Sequence, residues 1–435
     1  MRISGTFERS DTRLLRMLGA IAEKRKTRTF LVGGPVRDVL LGHPSPDIDI
    51  AVANDCRGFG RAVARETNGR FVYHPRFLTG TVLLHRQEAS VHEPRPGITD
   101  HIDVGRTRTE TYPGPAVLPR VRPAEIRDDL GRRDFGINAM ALELTRGKSG
   151  SLLDPHNGRA DIANRRVRVL HQLSFVDDPT RAFRAIRFAV RLGFEIEPET
   201  LRLMRDCIEQ GYPALLTPER ILYELRLICT EPKAAQIFEA LLKERLLQAC
   251  FREDPGFAIH TARFLSGLQR LNRTGAGAEL RYLFVLAHLP LTDRFPITRE
   301  ERDSVGAVRC FPGIRSRLLK SKTPGTTYRL LRHIPFPALR LLSVMEPDRV
   351  RSRIVLYLNN LAQVKIRTTG SDLQRMGLAP GPEYRRILDR VLCARIDGRV
   401  QTPEEEQRLV GSLVRRALLR SGRKRKQTRE EPRDV

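Results

Sequence analysis

One stretch, residues 28–53 (TRTFLVGGPVRDVLLGHPSPDIDIAV), constrains the fold more than any other part of the sequence. An apolar run leads into Gly33 and Gly34, a short helical pattern follows, and the stretch closes on Asp47 and Asp49, each followed by an isoleucine. This order predicts a strand, a glycine turn, a short helix and a second strand. Because side chains alternate along a strand, the two aspartates should share one face while the isoleucines point into a core.

The same stretch is suited to phosphate chemistry. Two neighbouring carboxylates repel each other unless a cation lies between them, and Mg²⁺ binds through a few carboxylates together with substrate phosphates. Gly33 and Gly34 let a phosphate approach the backbone, and the helix that starts there offers unpaired N–H groups. Arg37, one turn into that helix, can hold a phosphate oxygen. The glycine pair alone fits a plain tight turn, and the aspartate pair alone fits a solvated strand end. The two together, in this order, favour a phosphate- and metal-binding site.

The charge balance indicates a polyanionic partner, most commonly nucleic acid. The chain has 77 Lys and Arg against 51 Asp and Glu, a formal charge of +26, and such an excess attracts polyanions. An arginine-rich composition also accompanies GC-rich genomes, which weakens the inference. No apolar run approaches the roughly 20 residues of a membrane span, and the first residues lack a signal peptide's apolar core. Six scattered cysteines without a C-x-x-C pair predict reduced core residues in a cytoplasmic protein.

The segments after the first stretch predict the remainder of an α/β unit. Residues 57–68 predict a helix, and residues 70–74, 80–86 and 101–108 predict strands. Residues 109–128 are rich in proline and glycine and predict a long loop, which in a compact domain is often functional.

Two later stretches combine charge with helical periodicity. In residues 128–144, Arg132 and Arg133 precede a predicted helix start, which Asp134 can favour through the helix dipole. In residues 177–193, at about 100° per residue, a stripe roughly 120° wide collects four arginines: Arg181, Arg184, Arg187 and Arg191. The opposite side is apolar, so the arginine side is either a solvated face or a ligand-binding one.

Together these stretches resemble the class II tRNA nucleotidyltransferases, the CCA-adding enzymes, and the bacterial poly(A) polymerases that share their motifs. The sequence GG-x-VRD-x-LLG followed by D-I-D-I is similar to the first motif of that family. RRDFGINAMA at 132–141 resembles the second, DDPTR at 177–181 resembles the E-D-x-x-R motif, and ERILYEL at 219–225 resembles the fifth. Gly136 stands where the family usually has Thr, and Asp177 where it usually has Glu.

The resemblance implies which residues carry the chemistry. Asp47 and Asp49 would be catalytic and would bind Mg²⁺, with two ions expected. Asp103 is a candidate third catalytic carboxylate, since polymerase-β-like sites usually use three; a surface aspartate at a strand start is the alternative. The nucleotide-binding residues that the resemblance implies are Gly34, Arg37, Arg133, Asn138, Asp178, Arg181, Arg184 and Arg187.

Among these residues the resemblance implies a division of work. Asp178 and Arg181 would bond the edge of the base and so select C or A, because planar guanidinium and carboxylate groups can pair with a base edge. Arg184 and Arg187 would hold the triphosphate. The fifth motif, with Glu219, Arg220 and Glu224, would brace the nucleotide-selecting helix and not touch substrate.

The implied fold is α+β: a polymerase-β-like nucleotidyltransferase head with a mixed sheet and helices, followed by an all-helical neck, body and tail. We expect the catalytic head at residues 1–170 and the neck with its nucleotide-selecting helix at 171–250. A tRNA-binding body and tail should occupy 251–415, and a basic, disordered tail 416–435.

The implied reaction is template-independent transfer of nucleotides from CTP and ATP to the 3′ end of tRNA, with release of pyrophosphate. The product is either CCA or only its terminal A. Two alternatives remain open: a poly(A) polymerase that adds A tracts to RNA, and an inactive RNA-binding relative. The partners are therefore tRNA, CTP and ATP, with no membrane.

Overall fold

The computed structural model describes residues 9–43, 47–84, 100–145, 150–251 and 260–427. The chain divides into two compact units, residues 1–258 and 259–435. The first unit contains a mixed sheet with helices, and the described part of the second unit is helical. The predicted fold class, an α+β head followed by helices, is confirmed. No described helix is long and apolar enough to cross a membrane.

The first unit is built on a seven-stranded sheet. Its strands in spatial order are β3 (Arg70–His74), β4 (Thr79–Leu83), β5 (His101–Arg106), β2 (Asp49–Val52), β1 (Thr29–Val32), β8 (Ala141–Glu143) and β9 (Leu152–Leu153). Strands β2 and β5 run parallel, and every other neighbouring pair is antiparallel. Two smaller pairs are β6 (Arg108–Thr111) with β7 (Arg120–Pro123), and β10 (Arg166–Val167) with β11 (Glu195–Ile196).

Eleven helices lie in the described part of the first unit. They are α1 (Arg9–Lys24), α2 (Gly34–Leu40), α3 (Cys56–Glu66), α4 (Ile126–Gly131), α5 (Gly158–Ala163), α6 (Ser174–Asp177), α7 (Thr180–Leu192), α8 (Pro198–Glu209), α9 (Pro218–Thr230), α10 (Ala234–Lys243) and α11 (Leu246–Cys250).

The described part of the second unit is a succession of nine helices. They are α12 (Thr261–Arg273), α13 (Ala278–His288), α14 (Arg299–Leu319), α15 (Pro324–Leu331), α16 (Phe336–Met345), α17 (Asp348–Asn359), α18 (Gly370–Arg375), α19 (Pro382–Ile396) and α20 (Pro403–Gln427).

One face of the sheet is covered by α1, α2 and α3 and forms the main core of the first unit. Ile48, Ile50, Ile102 and Val104 lie in this core. Because side chains alternate along a strand, the residues between them face the other way. The predicted burial of the two isoleucines is confirmed, and the opposite face is left for carboxylates.

Most predicted segments of the head are confirmed. The helix predicted at 57–68 is α3, the strand at 70–74 is β3, and the strand at 101–108 contains β5. The strand predicted at 80–86 is β4, which ends at Leu83, and its last two residues lie outside the described ranges.

Two predictions about local structure in the head are wrong. The long loop at 109–128 is mostly a hairpin, in which β6 pairs with β7, followed by the start of α4. Proline and glycine are concentrated at its tip, between strands that pair normally. The helix predicted to start after Arg133 is instead a short 3₁₀ turn, Gly136–Asn138, which leads into β8.

The prediction of a disordered tail at 416–435 is wrong for residues 416–427, which continue α20. Val410 and Val414 of this helix are buried in a cluster with α18 and α19, and the arginines and leucines that follow favour helix. Residues 428–435 lie outside the described ranges. The finer division into head, neck, body and tail stays a prediction.

Candidate active site

The predicted catalytic carboxylates meet on neighbouring strands. Asp49 opens β2, and its partner across the parallel pair is Asp103 of β5. The Asp103 amide donates to the carbonyl of Ile48 (2.9 Å), which extends this pairing towards Asp47. On the other side, the Thr81 hydroxyl of β4 donates to Asp103 Oδ1 at 2.6 Å. The prediction that Asp103 lies near the other two acids therefore agrees with the strand register.

Electrostatics at this end of the site favour a bound cation. Burial, together with the negative charges of Asp103 and Asp47, raises the pKa of Asp49 to about 6, although the Arg133 guanidinium acts to lower it. Among the described residues, no three acidic, histidine or cysteine side chains converge closely enough to hold a metal by themselves. A hard divalent cation fits such a place, because it can take its remaining ligands from water and substrate phosphates.

Gly33 brings an arginine against these carboxylates. Its φ of 76° lies in the left-handed region that glycine adopts easily. A Cβ atom at Gly33 would lie 2.7 Å from Arg133 Nη1 and 3.7 Å from Asp49 Oδ2, so any side chain here would push this guanidinium away from its place beside Asp49. Arg133 is anchored from behind by Asp129, whose Oδ2 accepts from Nη2 at 3.1 Å.

The start of α2 is joined to the turn that precedes β8. Arg37, which is 3% exposed, donates through Nε to Asp38 Oδ1 (2.8 Å) and through Nη1 to Asn138 Oδ1 (2.7 Å). Asn138 in turn donates to Asp134 Oδ1 at 3.0 Å. The structure thus brings together Arg37 and Asn138, which the sequence predicted separately.

Asp134 is a central residue of the site that sequence reasoning treated only as a helix-start acid. Its Oδ2 accepts from Arg184 Nε (2.7 Å) and Nη2 (2.5 Å). Burial raises the pKa of Asp134, but the Arg184 guanidinium and the Asn138 amide lower it to about 2. The sequence did contain a signal for Asp134, because this acid directly follows two arginines and precedes an apolar run.

The two predicted base-reading residues are held firmly by protein groups. Arg181, 4% exposed, donates to Ser174 Oγ (2.7 Å), the Tyr112 hydroxyl (3.2 Å) and the carbonyl of Arg132 (3.1 Å). Asp178 Oδ1 accepts from Thr180, through its amide (3.0 Å) and hydroxyl (2.6 Å).

Helix α9 supports this arrangement, as predicted. Arg220 donates to Asp178 Oδ1 (2.5 Å) and to the carbonyl of Ala116 in the hairpin (2.9 Å). Arg187 lies 3.9 Å from Glu224 and 3.4 Å from Glu231. Burial raises the pKa of Glu224, while Arg184 and Arg187 lower it. These contacts of Arg220 and Glu224 agree with the predicted bracing role, whereas Glu219 is exposed.

A cavity of about 520 Å³ collects most of the predicted site. It is lined by all eight predicted nucleotide-binding residues and by Asp47 and Asp49. Asp103 instead lines an adjoining cavity of about 280 Å³, which shares Asp49, Arg132 and Arg133 with the first.

Other residues lining the larger cavity include some that the sequence prediction left out: Glu110, Tyr112, Asp134, Phe188 and Tyr223. The helical wheel could have found Phe188, since it lies one turn after Arg184 on the arginine side. Tyr223 could have been found in the same way, three residues after Arg220 on α9. Glu110 and Tyr112 were hidden because their segment was interpreted as a loop.

The sheet with its carboxylates and the arginine-lined cavity define a nucleotidyltransferase with a polymerase-type head. A family profile described as "Poly A polymerase head domain" matches residues 29–168. A second, described as "Probable RNA and SrmB- binding site of polymerase A", matches residues 193–258.

Comparison with full-length proteins narrows the class. An A-adding tRNA nucleotidyltransferase of Halalkalibacterium halodurans is 31% identical, and the alignment covers 92% of each chain. An A-adding relative from Geobacter sulfurreducens is 32% identical over 93% of this chain, which spans only 47% of that relative. A CC-adding tRNA nucleotidyltransferase of Deinococcus radiodurans is 30% identical over 88% of each chain. The chain belongs to the tRNA nucleotidyltransferase family and is an enzyme.

Solved structures agree with this assignment. A CCA-adding enzyme in complex with ATP superposes with a TM-score of 0.72 at 26% identity, covering 94% of this chain and 96% of that one. The Thermotoga maritima CCA-adding enzyme complexed with tRNA gives 0.67 at 25% identity, covering 94% and 97%. Members of this family generally use divalent metal ions, which the carboxylate end of the site fits.

Proposed function

We propose that this enzyme transfers nucleotides to the 3′ end of tRNA, with Asp47 and Asp49 as its catalytic residues. The observation that carries the proposal is one cavity lined by both carboxylates and by all eight residues predicted to bind a nucleotide. Nucleotidyl transfer needs those two groups together, because charge must be neutralised at the reacting phosphate and along the triphosphate.

At the carboxylate end, Asp47 and Asp49 would hold Mg²⁺, with two ions proposed and Asp103 as a third carboxylate. A metal held there would activate the RNA hydroxyl and stabilise the leaving oxygen. Arg133, fixed by Asp129, neutralises charge beside Asp49. The protein's own share of the reaction is to orient the two substrates and to stabilise developing charge.

At the arginine end, Gly34, Arg37, Arg184 and Arg187 bind the triphosphate, and Asn138 positions the ribose. Asp178 and Arg181 read the edge of the base. Because three protein acceptors already surround Arg181, we propose that it exchanges one of them, the Tyr112 hydroxyl or Ser174, for a base acceptor. Base reading would then be linked to the position of the hairpin.

We propose the terminal A as the nucleotide added. Support comes from the two A-adding relatives at 31% and 32% identity, while the CC-adding relative keeps CC or complete CCA addition as the alternative. The head profile's description makes poly(A) addition a second candidate function. We further propose cytoplasmic action, a catalytic head at residues 1–170, and tRNA binding by residues 251–415.

The deciding experiment measures product length. Purified protein, Mg²⁺ and labelled ATP or CTP are incubated with tRNAs that end in the discriminator base, in C or in CC. A single A added only to the CC end supports the proposal. Addition of C then C, of C then C then A, or of a long A tract identifies the alternatives. No product on any substrate would contradict an enzymatic role.

A further inference from the structure

Three of the arginines assigned to the triphosphate surround one aromatic ring. The guanidinium carbons of Arg37, Arg184 and Arg187 lie 5.1, 5.2 and 5.2 Å from the centroid of Phe188. A cation within about 6 Å of a ring centroid is attracted by the negative face of the ring. Phe188 is 6% exposed and lines the same cavity.

Each of these three arginines pairs with a different carboxylate. Arg37 bonds Asp38, Arg184 bonds Asp134, and Arg187 pairs with Glu231. Glu224 lies 3.9 Å from Arg187, and its negative charge also acts on Arg184. Within the described part of the chain, Phe188 is therefore the group that contacts all three guanidiniums.

The ring itself is held from behind. Phe135, which is fully buried, packs edge-on against it with the centroids 5.9 Å apart and the planes at 85°. Phe135 directly follows Asp134, the acid that bonds Arg184. One short segment thus fixes both the ring and one of the cations that it contacts.

We propose that Phe188 is a positioning residue for triphosphate binding, and that it gathers Arg37, Arg184 and Arg187 before the nucleotide arrives. Each guanidinium is held by its own carboxylate, and the ring adds one contact shared by all three, which fixes their positions relative to one another. A site that is already organised avoids the cost of rearrangement. This inference rests on the proposed function, because it assumes that the cavity binds a nucleoside triphosphate.

The most direct test keeps the shape of the ring and removes its attraction for cations. Site-specific replacement of Phe188 by 3,4,5-trifluorophenylalanine withdraws charge from the ring face. We expect the dissociation constants of ATP and CTP to rise alike, by about tenfold, which equals roughly 1.4 kcal/mol at 25 °C. Binding is measured by equilibrium dialysis with labelled nucleotide, and tRNA affinity should not change.

The matched control is the same replacement at Phe183. That residue lies on the same helix and is fully buried, and it makes no cation–π contact within the described ranges. We expect its fluorinated form to bind ATP as the wild type does. Equal weakening at both positions would show that fluorination disturbs packing, and the positioning role would be rejected.

Replacement of Phe188 by standard amino acids gives a second test. Phe188→Leu should raise KM for every nucleotide by about tenfold or more, with kcat changed less than about twofold, and Phe188→Tyr should restore most of the loss. A wild type that bound neither ATP nor CTP would overturn the proposed function together with this inference. A wild type that bound ATP, with a fluorinated Phe188 variant that bound it equally well, would overturn this inference alone.

Discussion

The carboxylate end and the arginine end of the cavity are built in opposite ways. At the carboxylate end, Asp49 lies beside Asp103 and Asp47, and its pKa is raised to about 6, mainly by burial and further by these two negative charges. At the arginine end, Arg184 is bonded to Asp134, whose pKa is lowered to about 2. The carboxylate end needs a bound cation to balance its charge. At the arginine end, the arginines are already paired with carboxylates of the protein.

This difference predicts that function and stability separate along the cavity. Removing a carboxylate at the first end relieves repulsion, so catalysis should suffer without loss of fold. Removing one member of an ion pair at the arginine end leaves the other member buried without a partner, which lowers stability as well as nucleotide binding.

The largest effect is expected at the carboxylate end. Asp49→Asn should lower nucleotide transfer by about 10³-fold or more, since a bound metal supplies several kcal/mol of charge stabilisation. The melting temperature should not fall, and ATP affinity without metal should remain within a few-fold of the wild type. Single-turnover assays measure the transfer rate, and thermal unfolding measures the melting temperature. Retained turnover at ordinary Mg²⁺ would place the catalytic centre elsewhere. Asp348→Asn, at an 84% exposed side chain, is the control.

The second effect concerns which nucleotide is added. Arg181→Ala should reduce discrimination between correct and incorrect bases by about 1–3 kcal/mol, or roughly 5- to 150-fold, by analogy with bidentate base contacts in DNA readout. The carboxylate end is untouched, so transfer of the correct nucleotide should persist. Single-turnover addition of all four nucleotides to tRNA ending in CC measures this.

Tyr112→Phe serves as a companion to Arg181→Ala. It removes the hydroxyl that accepts from Arg181 and leaves the guanidinium in place. If Arg181 exchanges this contact for a base, the companion variant should keep its selectivity. Equal slowing of all four nucleotides by Arg181→Ala, with selectivity unchanged, would make Arg181 a structural residue that links α7 to the hairpin.

The third expected effect is smaller and concerns the affinity for the nucleotide. Arg184→Ala should raise KM for all four nucleotides alike by about tenfold, the value of a hydrogen bond to a charged group, because triphosphate contacts carry no base information. The melting temperature should fall too, since Asp134 loses its guanidinium. Arg202→Ala on α8, where the arginine bonds the exposed acids Glu199 and Asp206, controls for loss of positive charge. A change in base selectivity would contradict the assignment.

Periodicity was enough to predict both ends of the cavity but not what joins them. Strand alternation places Asp47 and Asp49 on one face, and the wheel of α7 collects its arginines, because both patterns are local. The contact of Arg181 with Tyr112 and that of Arg220 with Asp178 connect distant segments, so no local pattern contains them. The hairpin was missed because its proline-rich tip dominates the composition of the segment.

The smallest expected effect tests whether Asp103 belongs to the carboxylate end. Thr81→Val removes the hydroxyl that donates to Asp103 Oδ1 at 2.6 Å and keeps the shape of the side chain. One hydrogen bond to a charged group is worth about 1.5 kcal/mol or somewhat more, only part of which should reach the transition state. We therefore expect the single-turnover transfer rate to fall by about three- to tenfold, with KM for ATP unchanged.

Thr79 supplies the matched control for this test. It lies two residues earlier on β4, lines the same adjoining cavity and pairs with Gly105 instead of an acid. If Asp103 takes part in catalysis, Thr81→Val should slow transfer and Thr79→Val should not, because the Thr81 hydroxyl donates to that carboxylate whereas Thr79 pairs with Gly105. If both variants behave as the wild type, Asp103 is a surface acid at a strand start, and the carboxylate end consists of Asp47 and Asp49 alone.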